Sequence, residues 1–337
     1  MPSFRTGAVT QLVSERAGLQ RVRVDLGEDE PTRAYVLTQL TGPVAVGDRV
    51  VCNTTAVELG LGTGGWHVVH WNLARDDWSE PGAGHIMKLR YTSLQVDTGA
   101  GEEDHPEVPP RLDGTPVVVC TVHSQVPCVV VAAHAARPAT RIAYVMTDGA
   151  ALPLAFSDLT ATMVERGLLV GTVTAGHAFG GDLEAVNVAS ALTLARHVLH
   201  ADLIVVGMGP GVVGTGTALG TTSLEAAATM DTVAALGGQP VACLRVSSGD
   251  LRDRHLGVSH HTRTVLDLVR SPVRLAGTPG LGTEQRHEVI EVAAPDTAAL
   301  LAAEGLNVTT MGRSPTEDPD YFAAAGQAGV LGASLLP

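Results

Sequence analysis

The sequence predicts an α/β protein: a mostly parallel sheet with helices on both faces, preceded by a small antiparallel β-barrel-like domain. Three observations carry that reading. Up to about residue 75, short segments of apolar residues recur with turn residues between them, the pattern of a small barrel or sandwich. From residue 116 onward, continuous apolar runs alternate with helical patterns, as parallel strands buried on both faces do. Between the two, Gly101 to Pro110 reads Gly-Glu-Glu-Asp-His-Pro-Glu-Val-Pro-Pro, an acidic and proline-rich connection. The expected division is therefore 1–75 for the β-domain, 76–115 for the connecting segment and 116–337 for the α/β domain.

In the first part, Gly7 to Val13, Arg21 to Val24, Arg33 to Leu37 and Asp48 to Cys52 are strands. Trp66, His67, His70 and Trp71 follow a glycine-rich run, and the barrel is expected to close on its tryptophans. In the second part, Pro116 to Thr121, Arg141 to Met146, Leu168 to Thr174, Leu203 to Val206 and Pro240 to Val246 are strands. A helix opens with Pro127 at its first position and stops before Pro138. Asp182 is placed as the N-cap of a long helix reaching about His200. Thr222-Ser223-Leu224-Glu225 reads as a capping box opening a helix to about Leu236. Further helices are expected through Thr264 to Val269, Asp296 to Ala303 and Asp318 to Ala328, with strands at Glu288 to Val292 and Leu306 to Thr310.

Composition narrows the function classes. The chain has 337 residues, a hydrophobic fraction of 45% and a mean hydropathy of +0.19, enough for a sizeable core. Aromatic residues are only 3%, so Val, Leu and Ala must build it. The net charge is −13 and there is no basic run, so no nucleic-acid partner is expected. No apolar run is long enough to span a bilayer, and Met1 to Arg5 opens no export signal; the expectation is no membrane partner and a cytoplasmic location. Lys88 is the one lysine among 22 basic residues, which leaves a Schiff-base or P-loop mechanism a single candidate. Cys52, Cys120, Cys128 and Cys243 form no C-x-x-C pair, and three of the four sit in apolar runs, so they read as buried hydrophobes. A homo-oligomer is the default for such a chain, although no residue pattern specifies its symmetry.

Parallel strands joined by helices put every strand-to-helix loop at one edge of the sheet, where α/β proteins bind their ligands. Here those loops are rich in His, Asp and Gly: Val122 to Gln125, Thr147 to Gly149, Ala175 to Asp182, Gly207 to Gly216, Ser247 to His261 and Met311 to Arg313. His123, Asp148, His177, Asp182, His260 and His261 are the candidate catalytic residues, because imidazole and carboxylate are the groups of acid–base work near neutral pH. Gly209, Gly211, Gly214, Thr215 and Gly216 are the candidate cofactor- or anion-binding residues, since a Gly/Thr loop wraps an anion with backbone N–H groups.

Gly209-x-Gly211-x-x-Gly214 matches the dinucleotide pattern formally, but the expected helix starts only near Thr222 and no acidic residue ends the next strand. No Gly-Lys-Ser/Thr makes it a P-loop, and no G-x-S-x-G marks a hydrolase elbow. The histidines lack H-x-x-x-H or H-E-x-x-H spacing, so no metal ligand and no cofactor is assigned.

Asn53 to Leu59 with Gly62-Thr63-Gly64-Gly65, Gly84 to Tyr91, Gly176 to Asn187 and Ser259-His260-His261-Thr262 together resemble a bacterial domain-of-unknown-function family found mostly in high-GC Gram-positive organisms. The resemblance spans nearly the whole length. It implies a single unit and carries no assigned activity. The functional expectation is an enzyme acting on a small anionic molecule by His/Asp acid–base chemistry at the strand carboxyl edge. Alternatives are a non-catalytic small-molecule binding or regulatory protein, and a metal-assisted hydrolase.

Overall fold

In the computed structural model, the described residues are 1–61, 64–82, 84–277 and 286–337. Gly62 and Thr63 of the glycine-rich motif lie outside them. Two compact units are present, Met1–Gly99 and Ala100–Pro337.

The first unit holds a closed barrel of β1 (Phe4–Arg16), β2 (Leu19–Asp25), β3 (Thr32–Leu37), β4 (Arg49–Asn53) and β5 (Trp66–Asn72), in the order β1-β2-β3-β5-β4. Helical turns α1 (Thr38–Thr41) and α2 (Thr55–Glu58) flank β4, and β6 (Met87–Lys88) pairs with β7 (Val96–Asp97). All barrel pairings are antiparallel except β3 with β5, which are parallel because a separate strand, β4, intervenes in sequence. Alternation explains the closure: Val22 and Val24 point inward from β2, Val50 and Cys52 from β4, Val69 from β5. The interior is thus aliphatic. Trp66 and Trp71 are only half-buried, and Trp66 stacks on Tyr35 at 4.7 Å, which corrects the expectation that tryptophans close the barrel.

The second unit opens with the turn α3 (Gly101–Asp104) and continues β8 (Pro116–Val119), α4 (Gln125–Ala136), β9 (Ile142–Thr147), α5 (Asp158–Glu165), β10 (Gly171–Ala175), β11 (Leu183–Ala185), α6 (Val188–His197), β12 (Leu203–Met208) and α7 (Glu225–Ala235). It ends with β13 (Gln239–Ala242), β14 (Val246–Ser247), β15 (Gly257–Val258), α8 (His260–Leu268), β16 (Arg274–Ala276), β17 (Glu288–Ile290), α9 (Thr297–Ala303) and α10 (Pro319–Ser334). Eight of these strands form one all-parallel sheet, order β11-β10-β9-β12-β8-β13-β16-β17. One apolar layer packs residues of α4, α5, α9 and α10 on the sheet; the other packs α6, α7 and α8 on the opposite face. Val, Leu, Ile and Ala supply most of both layers, as the low aromatic content requires. No described helix is long and apolar enough to cross a membrane.

Four local expectations fail for identifiable reasons. Asp182 caps no helix: its Oδ2 accepts from Thr172 N–H (2.8 Å) and Thr172 Oγ1 (2.9 Å), so the next residues extend the sheet as β11. Asn187 is the N-cap of α6 instead, accepting from Ser190 N–H. The Thr222–Glu225 box does not form either. Thr221 caps a single 3-10 turn over Thr222–Leu224, and Glu225, first residue of α7, turns its carboxyl to Thr147. Leu306 to Thr310 packs its Leu306 and Val308 into the core without joining a sheet ladder. Pro127 sits in the third position of α4, whose start is set by Gln125: its Oε1 accepts from the N–H groups of Thr121 and Val122.

Candidate functional site

β8 and β9 feed helices on one face of the sheet, α4 and α5, while β12 between them feeds α7 on the other. Neighbouring strands whose helices leave to opposite faces open a crevice at their carboxyl ends. Residues of three strand ends meet there.

The first group is a carboxylate pair. Thr147 ends β9 and donates its hydroxyl to Glu225 Oε1. Burial pushes the Glu225 carboxyl up to about 7; the Thr147 hydrogen bond opposes this and the charge of Asp148 reinforces it. Asp148 Oδ2 in turn accepts from the backbone N–H of His177 at 2.9 Å. Two glycines make room. A Cβ on Gly149 would lie 2.3 Å from Glu225 Oε2, and one on Gly176 would lie 2.3 Å from Asp148 Oδ2. Gly176 also has φ +67°, a backbone conformation that a side chain strains. The structure thus brings together Asp148 and His177 of the predicted residues and adds Glu225, which sequence reasoning read only as a helix cap.

The second group is three histidines. His255 ends a short 3-10 turn, and His260 and His261 open α8, with Ser259 at the N-cap position. The ring centroids are 4.9 Å apart for His255 and His260, 5.3 Å for His255 and His261, and 3.9 Å for His260 and His261. Ligand atoms of all three lie within 4.8 Å of one another. Burial, then the guanidinium groups of Arg245 and Arg252, lowers His255 to about 4. His260 and His261 are also lowered, by burial first and then by neighbouring cations including Arg245, so all three rings are neutral near pH 7. His255 lies in the Ser247–His261 loop but is not among the candidate residues of the sequence, because its spacing to His260, five residues, fits no familiar zinc motif.

Beside the histidines lies an ion network. Asp250 Oδ2 meets Arg252 at 2.7 Å, Arg313 at 3.2 Å and Arg245 at 3.5 Å, and the Arg252 hydrogen bonds hold its carboxyl far below the usual range. Asp318, fully buried, accepts from Ser247 Oγ (2.6 Å), the N–H groups of Ser248 and Gly249, and Arg313 Nε (3.0 Å).

His123 and Asp182 are committed elsewhere. His123 Nδ1 lies 3.1 Å from the Met208 carbonyl and Nε2 lies 2.7 Å from Ser157 Oγ. Ser157 also accepts from Thr160 N–H as the N-cap of α5. Burial lowers the His123 pKa to about 4, so this is a neutral imidazole with Nδ1–H donating to the carbonyl and Nε2 accepting from the serine. A serine and a histidine at this distance resemble a nucleophile and base, but Ser157 is 3% exposed and its hydroxyl also caps α5 through Thr160 N–H. Asp182 immediately precedes β11, its carboxylate accepting from Thr172 of β10.

The loop from Gly209 to Thr221 runs between the two groups and closes on itself. Thr215 N–H donates to Gly220 O, Thr222 N–H to Val213 O, and the N–H groups of Val213, Thr217 and Gly220 to threonine hydroxyls. Those five N–H groups are therefore spent within the loop. The helix after it starts at Glu225, too late to meet a dinucleotide pyrophosphate. What the glycines permit instead is close packing. A Cβ on Gly209 would lie 2.2 Å from the Ala151 carbonyl oxygen, and one on Gly214 2.8 Å from His261 Cε1. Gly211 has φ +102°, and Thr215 and Gly216 are exposed.

His177 follows β10, whereas the histidine trio lies in the segment after β13 and packs against the loop after β12 at Gly214. The predicted histidines therefore lie in three places: His123 on Ser157, His177 beside Asp148, and His260 with His261. Comparison with known proteins adds one finding. Residues 33–329 match the model of a family described as a protein of unknown function (DUF3866). No curated protein and no solved structure matches the chain. The match covers most of the sequence, and the chain belongs to that family.

Proposed function

We propose that this member of the DUF3866 family is an enzyme that acts on a small anionic molecule at the carboxyl edge of the parallel sheet, with Glu225 as the proton carrier. The observation that carries the reading is the half-buried Glu225 carboxyl, bonded to Thr147 and close to Asp148, with its pKa pushed up to about 7 by desolvation. A carboxyl there is a general acid or base matched to neutral pH, and two carboxylates in unlike surroundings are the usual basis for dividing acid and base roles. Asp148 accepts from the backbone N–H of His177 and so fixes that loop, which supports His177 as the second proton-transfer group. His260 and His261, beyond the Gly209–Gly216 loop, stand beside the guanidinium groups of Arg245, Arg252 and Arg254, whose positive potential favours an anionic ligand.

The test is a panel of small phosphates and carboxylates, screened for binding by thermal shift and then for turnover. The expected outcome is a ligand that wild type converts and Glu225→Gln binds but does not convert. Ligands that bind both proteins and are converted by neither would make the chain a binding or regulatory protein and overturn the reading.

A further inference from the structure

We propose that His255, His260 and His261 bind one divalent transition-metal ion, with zinc or cobalt fitting the all-imidazole ligand set. The proposal shares His260 and His261 with the reading above and does not rest on Glu225 as proton carrier. Four observations carry it. The three rings converge, one ligand atom of each within 4.8 Å of the others. Nε2 of both His260 and His261 is buried without a hydrogen-bond partner, although His261 is only 4% exposed; a buried polar atom is rarely left so without a role.

The opposite sides of the rings are held by the protein. His255 Nδ1 lies 2.8 Å from Ser259 Oγ, and Ser259 is fully buried. The backbone of Thr215 and Thr217 lies beside the His261 ring. Such outer contacts fix the tautomer of a ligating imidazole, since an Nδ1–H that donates outward leaves the Nε2 lone pair for the ion. The last observation is the access. His260 is half-buried, so one side of the trio opens toward solvent, while the absent side chain of Gly214 lets the loop close over His261.

The geometry needs only a small adjustment. Tetrahedral coordination at the usual zinc–nitrogen length spaces ligand nitrogens roughly 3.4 Å apart, so the widest pair closes by about 1.4 Å through side-chain rotation. Three imidazoles leave a fourth position for solvent, the arrangement of an open rather than a structural site. Arg245, Arg252 and Arg254 oppose a cation here, and the Asp250 carboxylate, shared by Arg245, Arg252 and Arg313, offsets part of that charge. Imidazole is neutral and of borderline softness, which suits Zn, Co, Ni or Cu over Mg or Ca.

The experiment uses the full chain freed of metal with a chelator and titrated with Co²⁺, then with Zn²⁺ in competition. We expect one equivalent of cobalt with visible ligand-field bands, displaced by zinc, and binding weakened at least a hundredfold in His260→Asn and in His261→Asn. Ser259→Ala should weaken it about tenfold, as loss of an outer contact does. A measurement on the unaltered chain covers the case in which a variant does not fold: Cu²⁺ loaded at one equivalent should show electron-spin-echo modulation from more than one imidazole. Absence of stoichiometric cobalt binding by wild type, equal affinity in all three variants, or copper without imidazole modulation would each overturn the site.

Discussion

Glu225 offers the sharpest test, because its carboxyl couples the candidate site to stability. Its ordinary value is 4.5 and its folded value about 7, raised chiefly by burial. Between these pH values the folded chain holds a proton that the unfolded chain has released. A group raised in this way contributes stability below its unfolded value, and that contribution is lost as pH rises through the folded value. The slope is about 1.4 kcal/mol per pH unit, so roughly 3 kcal/mol disappears between about pH 4.5 and about pH 7.

Glu225→Gln keeps the shape and cannot ionise. The variant should match wild type near pH 4 and exceed it by up to about 3 kcal/mol near pH 8. The assay is guanidinium unfolding of both proteins over that range, and the quantity to plot is their difference, which removes every other titrating group. The probe must be far-UV circular dichroism. Trp66, Trp71 and Trp78 all lie in the Met1–Gly99 unit, so their fluorescence does not report the unit that contains Glu225. A difference that is flat with pH, or one in which wild type gains on the variant as pH rises, would refute the argument that burial dominates this carboxyl.

Three further outcomes follow from the same contacts. Asp250→Asn leaves Arg245, Arg252 and Arg313 facing a neutral amide and should cost about 3 kcal/mol, read as a fall in melting temperature of about 6 °C or more. Because Arg252 holds that carboxyl below its ordinary 3.8, wild type should keep this contribution in full above that pH and lose it progressively as pH falls below it. Gly176→Ala puts a Cβ against Asp148 in a left-handed backbone; a cost of about 1–3 kcal/mol and loss of any turnover are expected, checked by melting and by the substrate panel. Ser157→Ala removes the α5 cap and orphans His123 Nε2, which should destabilise by about 2–4 kcal/mol in thermal melts while leaving the cobalt titration unchanged.

The sequence by itself determined the architecture. Strand and helix periodicity is written in neighbouring residues, so Val117 to Val119, Ile142 to Met146 and Leu203 to Val206 announced a buried parallel sheet, and the short alternating segments before residue 75 announced the barrel. It also located the edge where polar loops gather, because parallel topology leaves them one place to go.

Only the tertiary structure decided which of those polar residues meet. Asp182 looked like a helix cap until Thr172, ten residues earlier, supplied two donors and drew it into the sheet. Glu225 looked like part of a capping box until Thr147, 78 residues away, took its carboxyl and burial raised its pKa. His255 carried no motif, yet folding sets it beside His260 and His261. The physical reason is common to all three. Secondary structure follows from local backbone preferences and apolar spacing, whereas a polar side chain is assigned by whichever donor, charge or desolvated surface reaches it, and those partners arrive from distant parts of the chain.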